Sequence, residues 1–203
     1  NSDYQIITPL IGKFNLYNLL AAITCSIKLG VDIKQSIKSA ESFKYVPGRF
    51  EKFRLPDKKG YAIIDYAHSP DAYENIFKNI SQINKKQKII TVFGCGGERD
   101  NLKRPLMASI AEEYSDEIFI TNDNPRNESP DKIINDIISG LKTEKYNVIK
   151  NRKEAILKAL DLASNHIVLI LGKGIEEYQI IKNEKIYHSD ISLVKEFINE
   201  NWN

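Results

Sequence analysis

Lys88-Ile89-Ile90-Thr91-Val92-Phe93-Gly94-Cys95-Gly96-Gly97-Glu98-Arg99-Asp100 joins a short apolar run to a glycine-rich, charged loop. The run is too short for a buried helix and is bounded by glycine, so it suits a buried strand. The same pattern recurs on both sides of it. Tyr61 to Asp65 lies before it, and Glu117 to Thr121, Tyr146 to Ile149 and Ile167 to Leu171 follow. Between the runs lie stretches of helical length, near 71–83, 104–114, 130–142 and 152–163. Strands alternating with helices predict an α/β fold, with a Rossmann-like, mostly parallel sheet covered on both faces. Tyr178 to Ile181 and Lys185 to Tyr187 flank Asn183-Glu184 and predict a hairpin, an antiparallel edge for that sheet. A last helix is expected from about Ser192 to Asn199.

The first 47 residues read differently. Apolar residues recur at helical spacing from Phe14 to Leu29, and Gly30 is a natural stop. Asp32 can cap a second helix that runs to about Phe43. Val46-Pro47-Gly48-Arg49 is then a turn signal and a candidate domain boundary.

With 203 residues, 42% hydrophobic and 28% charged, the chain has material for a real core. Its net charge of +2 comes from 29 basic and 27 acidic residues. That balance gives no electrostatic argument for nucleic acid or an anionic membrane. No apolar stretch approaches the roughly 20 residues of a membrane span. Cys25, in an apolar helical run, reads as a buried thiol, and Cys95, between glycines, as an accessible one. Neither suggests a disulfide framework, and the expected compartment is a reducing cytoplasm.

In open α/β sheets, ligands bind beyond the carboxyl ends of the strands. The chemically loaded residues fall there: Asp65-Tyr66-Ala67-His68, the loop Gly94 to Asp100, Asn122 to Arg126, and Gly172-Lys173-Gly174. Taken alone, each has a plain structural reading. Both glycine clusters suit tight turns, and neither completes a Walker A loop. Asp123-Asn124-Pro125-Arg126 can form a turn, or can pair an acceptor with a guanidinium to hold a zwitterionic amino acid. Arg99, Lys103 and Arg104 form either a solvated basic face or an anion site. His68 precedes Ser69-Pro70-Asp71, the start of a helix capped by Ser69. No second His or Cys stands at zinc spacing from it. Asn15 and Asn18 open the first helix, where one of them can cap it or both can meet an adenine edge.

Taken in order, these segments resemble the Mur ligases, and within them the branch that adds a diamino acid. The resemblance rests on Gly12 to Ala22, Val46 to Glu51, Asp65 to Asp71, Val92 to Asp100, Lys103 to Met107, Asp123 to Arg126 and Gly172 to Glu176. These segments are collinear and span nearly the whole chain.

The resemblance implies that residues 1–47 are the C-terminal end of a central ATPase domain and 48–203 the C-terminal domain of the ligase. It implies ATP and Mg2+ as cofactors, held mainly by parts of the family absent from these residues, including the P-loop. It implies UDP-N-acetylmuramoyl-L-alanyl-D-glutamate and meso-diaminopimelate as partners, and a monomer. Asn15, Asn18, Arg49, Asp65 and His68 would serve ATP. Arg99, Asp123, Asn124, Arg126, Gly172 and Glu176 would hold the diamino acid, with Lys103 as charge support. The chain departs from the pattern at Ile175, where the family usually has His, which keeps lanthionine and lysine open as alternatives. A folylpolyglutamate synthase and a non-catalytic Rossmann-like binding module are the competing functions. Without a P-loop, the 203 residues alone are expected to be inactive.

Overall fold

A computed structural model describes residues 3–57, 60–83 and 86–201. The chain forms two compact units, Asn1–Val46 and Pro47–Asn203.

The first unit holds α1 (Lys13–Lys28) and α2 (Ile33–Ser42). Helix α1 ends in a reciprocal pair of bonds: Val31 N donates to Ser26 O and Gly30 N to Ile27 O, with Gly30 at φ +91°. This is the left-handed exit that glycine allows. Asp32 caps α2 by accepting from Lys34 N and Gln35 N. The start of α1 differs from expectation. Gly12 is its N-cap and provides no side-chain bond, while Asn15 turns back to donate to Ile11 O. Cys25 is exposed rather than buried. Apolar residues surround α1, but its own unit covers only the side of Ile23, so Leu16, Tyr17 and Leu20 are exposed as well.

The second unit holds a six-stranded sheet in the order β1-β2-β6-β3-β4-β5. The strands are β1 (Glu51–Arg54), β2 (Gly60–Asp65), β3 (Ile89–Phe93), β4 (Glu117–Ile120), β5 (Tyr146–Val148) and β6 (His166–Leu171). Neighbours are parallel from β2 across to β5, and β1 pairs antiparallel with β2. The antiparallel edge of the sheet is therefore β1, which alternates too little to stand out in the sequence. The expected hairpin, β7 (Tyr178–Ile181) and β8 (Glu184–Tyr187), forms its own two-stranded sheet. It meets the main body through a bridge between Arg126 and Ile181.

Helices α3 (Pro70–Ile83), α4 (Lys103–Tyr114), α5 (Pro130–Ile138), α6 (Arg152–Leu162) and α7 (Asp190–Asn201) complete the unit. Strand β3 is buried along its whole length, the signature of a strand covered on both faces. On one face Ile64, Val92, Phe119 and Ile170 pack with Ile156 and Leu160 of α6 and Val194 and Phe197 of α7. Side chains alternate along a strand, so Phe93 lies on the other face, edge-on to Tyr73 of α3. Ser69 caps α3 as expected, accepting from Ala72 N.

Strand β6 returns between β2 and β3. The loops after β2, β3, β4 and β6 therefore gather at one edge, which is what positions the site.

Candidate functional site

Those loops enclose a cavity of about 500 Å³. Its lining includes His68, Arg99, Lys103, Asp123, Asn124, Arg126, Gly172 and Glu176, which the sequence singled out in separate places. Close backbone approach brings them together. A Cβ on Gly94 would fall 2.2 Å from Thr121 O, and one on Gly97 would fall 2.0 Å from Pro125 O. Only glycine lets the β3 loop lie directly on the β4 loop. Gly97 N donates to Asn124 O, which closes that seam.

Arg126 has φ +54°. The hairpin holds it there: its N–H donates to Ile180 O, and Lys182 N donates to its carbonyl. Its Nη1 donates to Gly97 O at 2.9 Å and to Asn124 O at 3.2 Å. Among the described residues, Nη2 and Nε have no partner, so one side of the fork is available to the cavity. Asn124 is locked in orientation. Its Oδ1 accepts from Lys173 Nζ and Ile180 N, and its Nδ2 donates to Glu176 Oε2. Glu176 Oε1 accepts no hydrogen bond among the described residues.

Asp123 is 8% exposed. Neither of its carboxylate oxygens accepts a hydrogen bond among the described residues, and its one ion pair is with Lys173 at 3.8 Å. A carboxylate taken this far out of water needs donors. Gly172, at φ +113°, leaves room for it, since a Cβ there would stand 2.8 Å from Asp123 Oδ2.

The opposite wall belongs to the β2 loop. His68 Nδ1 bonds Tyr66 O, and Lys103 Nζ donates to His68 O at 2.7 Å. Tyr66 meets His68 edge-on and carries the Arg49 guanidinium 4.4 Å above its ring. Asp65 does not line the cavity. Its oxygens accept from Phe50 N and Ala67 N, each at 2.7 Å, and so brace the turn that carries Arg49. Burial raises the Asp65 pKa, offset in part by those two bonds. Asn15 and Asn18 line a separate cavity of about 460 Å³ within the first unit, between α1 and α2.

Two expectations change. Arg104 is fully buried, and no solvated basic face forms around it. It donates to Glu128, Asp136 and Gly96 O, so it ties the glycine loop to α5. Cys95 is buried, and its thiol is pushed up to about 12 by burial and by Asp123. It contributes to the lining of the cavity as a neutral thiol, since burial disfavours the thiolate. Sequence reading placed the loops of Tyr66 and Lys173 at the site without giving those two residues a role, and it missed Tyr178 and Gln179. The i,i+3 spacing of Lys173 and Glu176 was the available signal. Gln179 was hidden in the hairpin, and its Nε2 donates to Asn122 O and Asp123 O.

A cavity at the carboxyl edge of a parallel sheet, lined by both a guanidinium and a carboxylate, is where α/β domains of this class bind small molecules. The chain belongs to the Mur ligase family, a family of ATP-dependent ligases: residues 48–174 match the "Mur ligase, glutamate ligase domain". It is 44% identical, over 97% of its length, to a UDP-N-acetylmuramoyl-L-alanyl-D-glutamate--2,6-diaminopimelate ligase of Prochlorococcus marinus. With the ligase of the same name from Aquifex aeolicus it shares 47% identity, again over 97% of the chain. In each case it spans 40% of the relative's length. A solved structure bearing the same name superposes with a TM-score of 0.71 at 34% identity, covering 97% of this chain and 40% of that one. The folylpolyglutamate synthase of Thermotoga maritima, at 17% identity and a TM-score of 0.65, shares the fold.

Proposed function

We propose that this chain is the amino-acid-accepting part of an ATP-dependent ligase. The ligase joins meso-diaminopimelate, or a close diamino diacid, to UDP-N-acetylmuramoyl-L-alanyl-D-glutamate in cytoplasmic peptidoglycan synthesis. One observation carries the reading. A single cavity is lined both by Arg126, with the unused side of its fork, and by the nearly buried, unbonded carboxylate of Asp123. A guanidinium fork grips a carboxylate in bidentate fashion, and an unbonded carboxylate answers an ammonium. The ligand that satisfies both is a zwitterion long enough to span the cavity. Lysine lacks the second carboxylate that Arg126 and Arg99 would hold.

The reaction needs an activated acyl group and an aligned amine more than a protein nucleophile. ATP, with Mg2+, supplies the activation by making the peptide carboxylate an acyl phosphate. The residues of this chain orient the amine. Asp123, Asn124, Gly172 and Glu176 form the ammonium end, and Arg126 and Arg99 the carboxylate end. Holding one ammonium and one carboxylate of the diamino acid aims its other amine, which attacks in its unprotonated form, and so converts binding energy into rate. Lys103, fixed on His68 O, adds positive charge at the rim, where negative charge develops. Arg49 and His68 are proposed to serve the phosphates, with Asp65 as their support, and Asn15 and Asn18 to serve the adenine. Residues 1–47 are then the end of a central ATPase domain, and the working protein is a monomer.

The test is calorimetric titration of the chain with meso-diaminopimelate, glutamate and lysine. The expected order places meso-diaminopimelate first. Arg126→Ala is expected to cost roughly a hundredfold in its affinity, about 3 kcal/mol, within the range seen when one partner of a hydrogen-bonded charge pair is truncated. Undiminished binding by that variant overturns the reading.

A further inference from the structure

Asp123 and Glu176 bring two negative charges to one end of the cavity, yet the incoming amine brings one positive charge to it. Between them stands Lys173, with none of its side chain exposed. Its ammonium lies 3.1 Å from Glu176 Oε2, 3.0 Å from Asn124 Oδ1 and 3.8 Å from Asp123 Oδ1. Lysine is rarely buried so fully without paired charge. The Tyr178 ring lies 5.8 Å from the ammonium, and the three oxygen-bearing groups nearer to it all belong to the proposed amine-binding end.

We propose that Lys173 is the internal counter-ion of the amine-binding end, a positioning residue that sets its charge. It neutralises one of the two carboxylates and leaves a net charge of −1, matched to one ammonium group. It also selects which oxygens face the ligand. Holding Glu176 Oε2 and Asn124 Oδ1 leaves Glu176 Oε1 and both Asp123 oxygens free of hydrogen bonds among the described residues. An incoming ammonium then finds acceptors already aimed and not committed to one another. This rests on the amine-binding reading proposed above, but the ion triad itself has a readout without ligand.

The experiment is a double-mutant cycle on the chain: Lys173→Met, Glu176→Gln and the two together. Met keeps the length of the side chain and removes its charge. Without ligand, Lys173→Met is expected to lower Tm, because it leaves one buried and one half-buried carboxylate without a shared cation. Adding Glu176→Gln, which restores the net charge of −1, is expected to recover most of that loss. With meso-diaminopimelate, Lys173→Met is expected to weaken binding about tenfold in the parent background and about twofold or less in the Glu176→Gln background. A packing role predicts the same penalty in both backgrounds. Equal penalties, in Tm and in affinity, overturn the proposal. If the Tm recovery appears but the parent chain does not bind meso-diaminopimelate, the counter-ion stands and the amine-binding reading falls.

Discussion

Gly172 shows how much one missing side chain decides. Its φ of +113° is strained for any L side chain, and a methyl group there would stand 2.8 Å from Asp123 Oδ2. Gly172→Ala is expected to lose about 1–3 kcal/mol of stability through backbone strain. It is also expected to weaken meso-diaminopimelate binding, because Asp123 must move. Chemical denaturation and calorimetry on one preparation check both effects. A stable variant with parental affinity would show that the carboxylate has room to spare. The loop carrying Gly172 is anchored from below. Arg152 Nη2 donates to Leu171 O and to Asp190 Oδ2, Nε donates to Asp190 Oδ1, and His188 Nε2 bonds the same carboxylate. Burial alone would raise the Asp190 pKa, but the charge and bonds of Arg152 win and hold it below its ordinary value.

Among the elements, α4 does more than cover the sheet. Through Arg104 it clamps the β3 loop, by Gly96 O, to Glu128 and to Asp136 of α5. The ion pair and hydrogen bond with Arg104 lower the Glu128 pKa from 4.5 to about 2. A carboxylate with a depressed folded-state pKa contributes stability that is complete above its unfolded value and lost as pH falls through the folded one. The clamp is therefore expected to hold fully above pH 4.5 and to fail between pH 4.5 and about 2. Arg104→Met is expected to cost about 3 kcal/mol at neutral pH, since it leaves Asp136 without its cation and Glu128 with only Lys132 and the Glu98 N–H. Thermal melts against pH test this: the gap in Tm between parent and variant narrows across that acid window. A gap independent of pH would show that Arg104 acts by packing alone.

For the whole molecule, the cavity lined by Arg126 and Asp123 lies entirely within the unit Pro47–Asn203. Nowhere do the 203 residues contain a Gly-Lys-Ser/Thr phosphate loop. The chain is expected to bind meso-diaminopimelate without hydrolysing ATP, as measured by phosphate release in the presence of Mg2+. ATP turnover above that of the buffer would contradict the assignment of its first 47 residues to the end of a larger ATPase domain.

Periodicity and punctuation in the sequence determined the order of strands and helices and the two-helix start. They determined the Asp32 and Ser69 caps and the four loaded loops as well, because these depend on neighbours within a few residues. A parallel sheet places such loops at one edge, so most of the cavity lining could be named beforehand. Tertiary structure alone decided which side of each loop faces inward. Asp65 turns to brace a backbone turn, Arg104 is buried in a clamp, Cys95 is buried in the cavity wall, and β1 takes the edge expected of the hairpin. Buried charges in and around the site depend on partners 15, 24 and 49 residues away: Phe50 for Asp65, Glu128 for Arg104, and Asn124 for Lys173. A charged side chain reads as solvated until the fold brings the charge that allows its burial, and that pairing is not a local property of the chain.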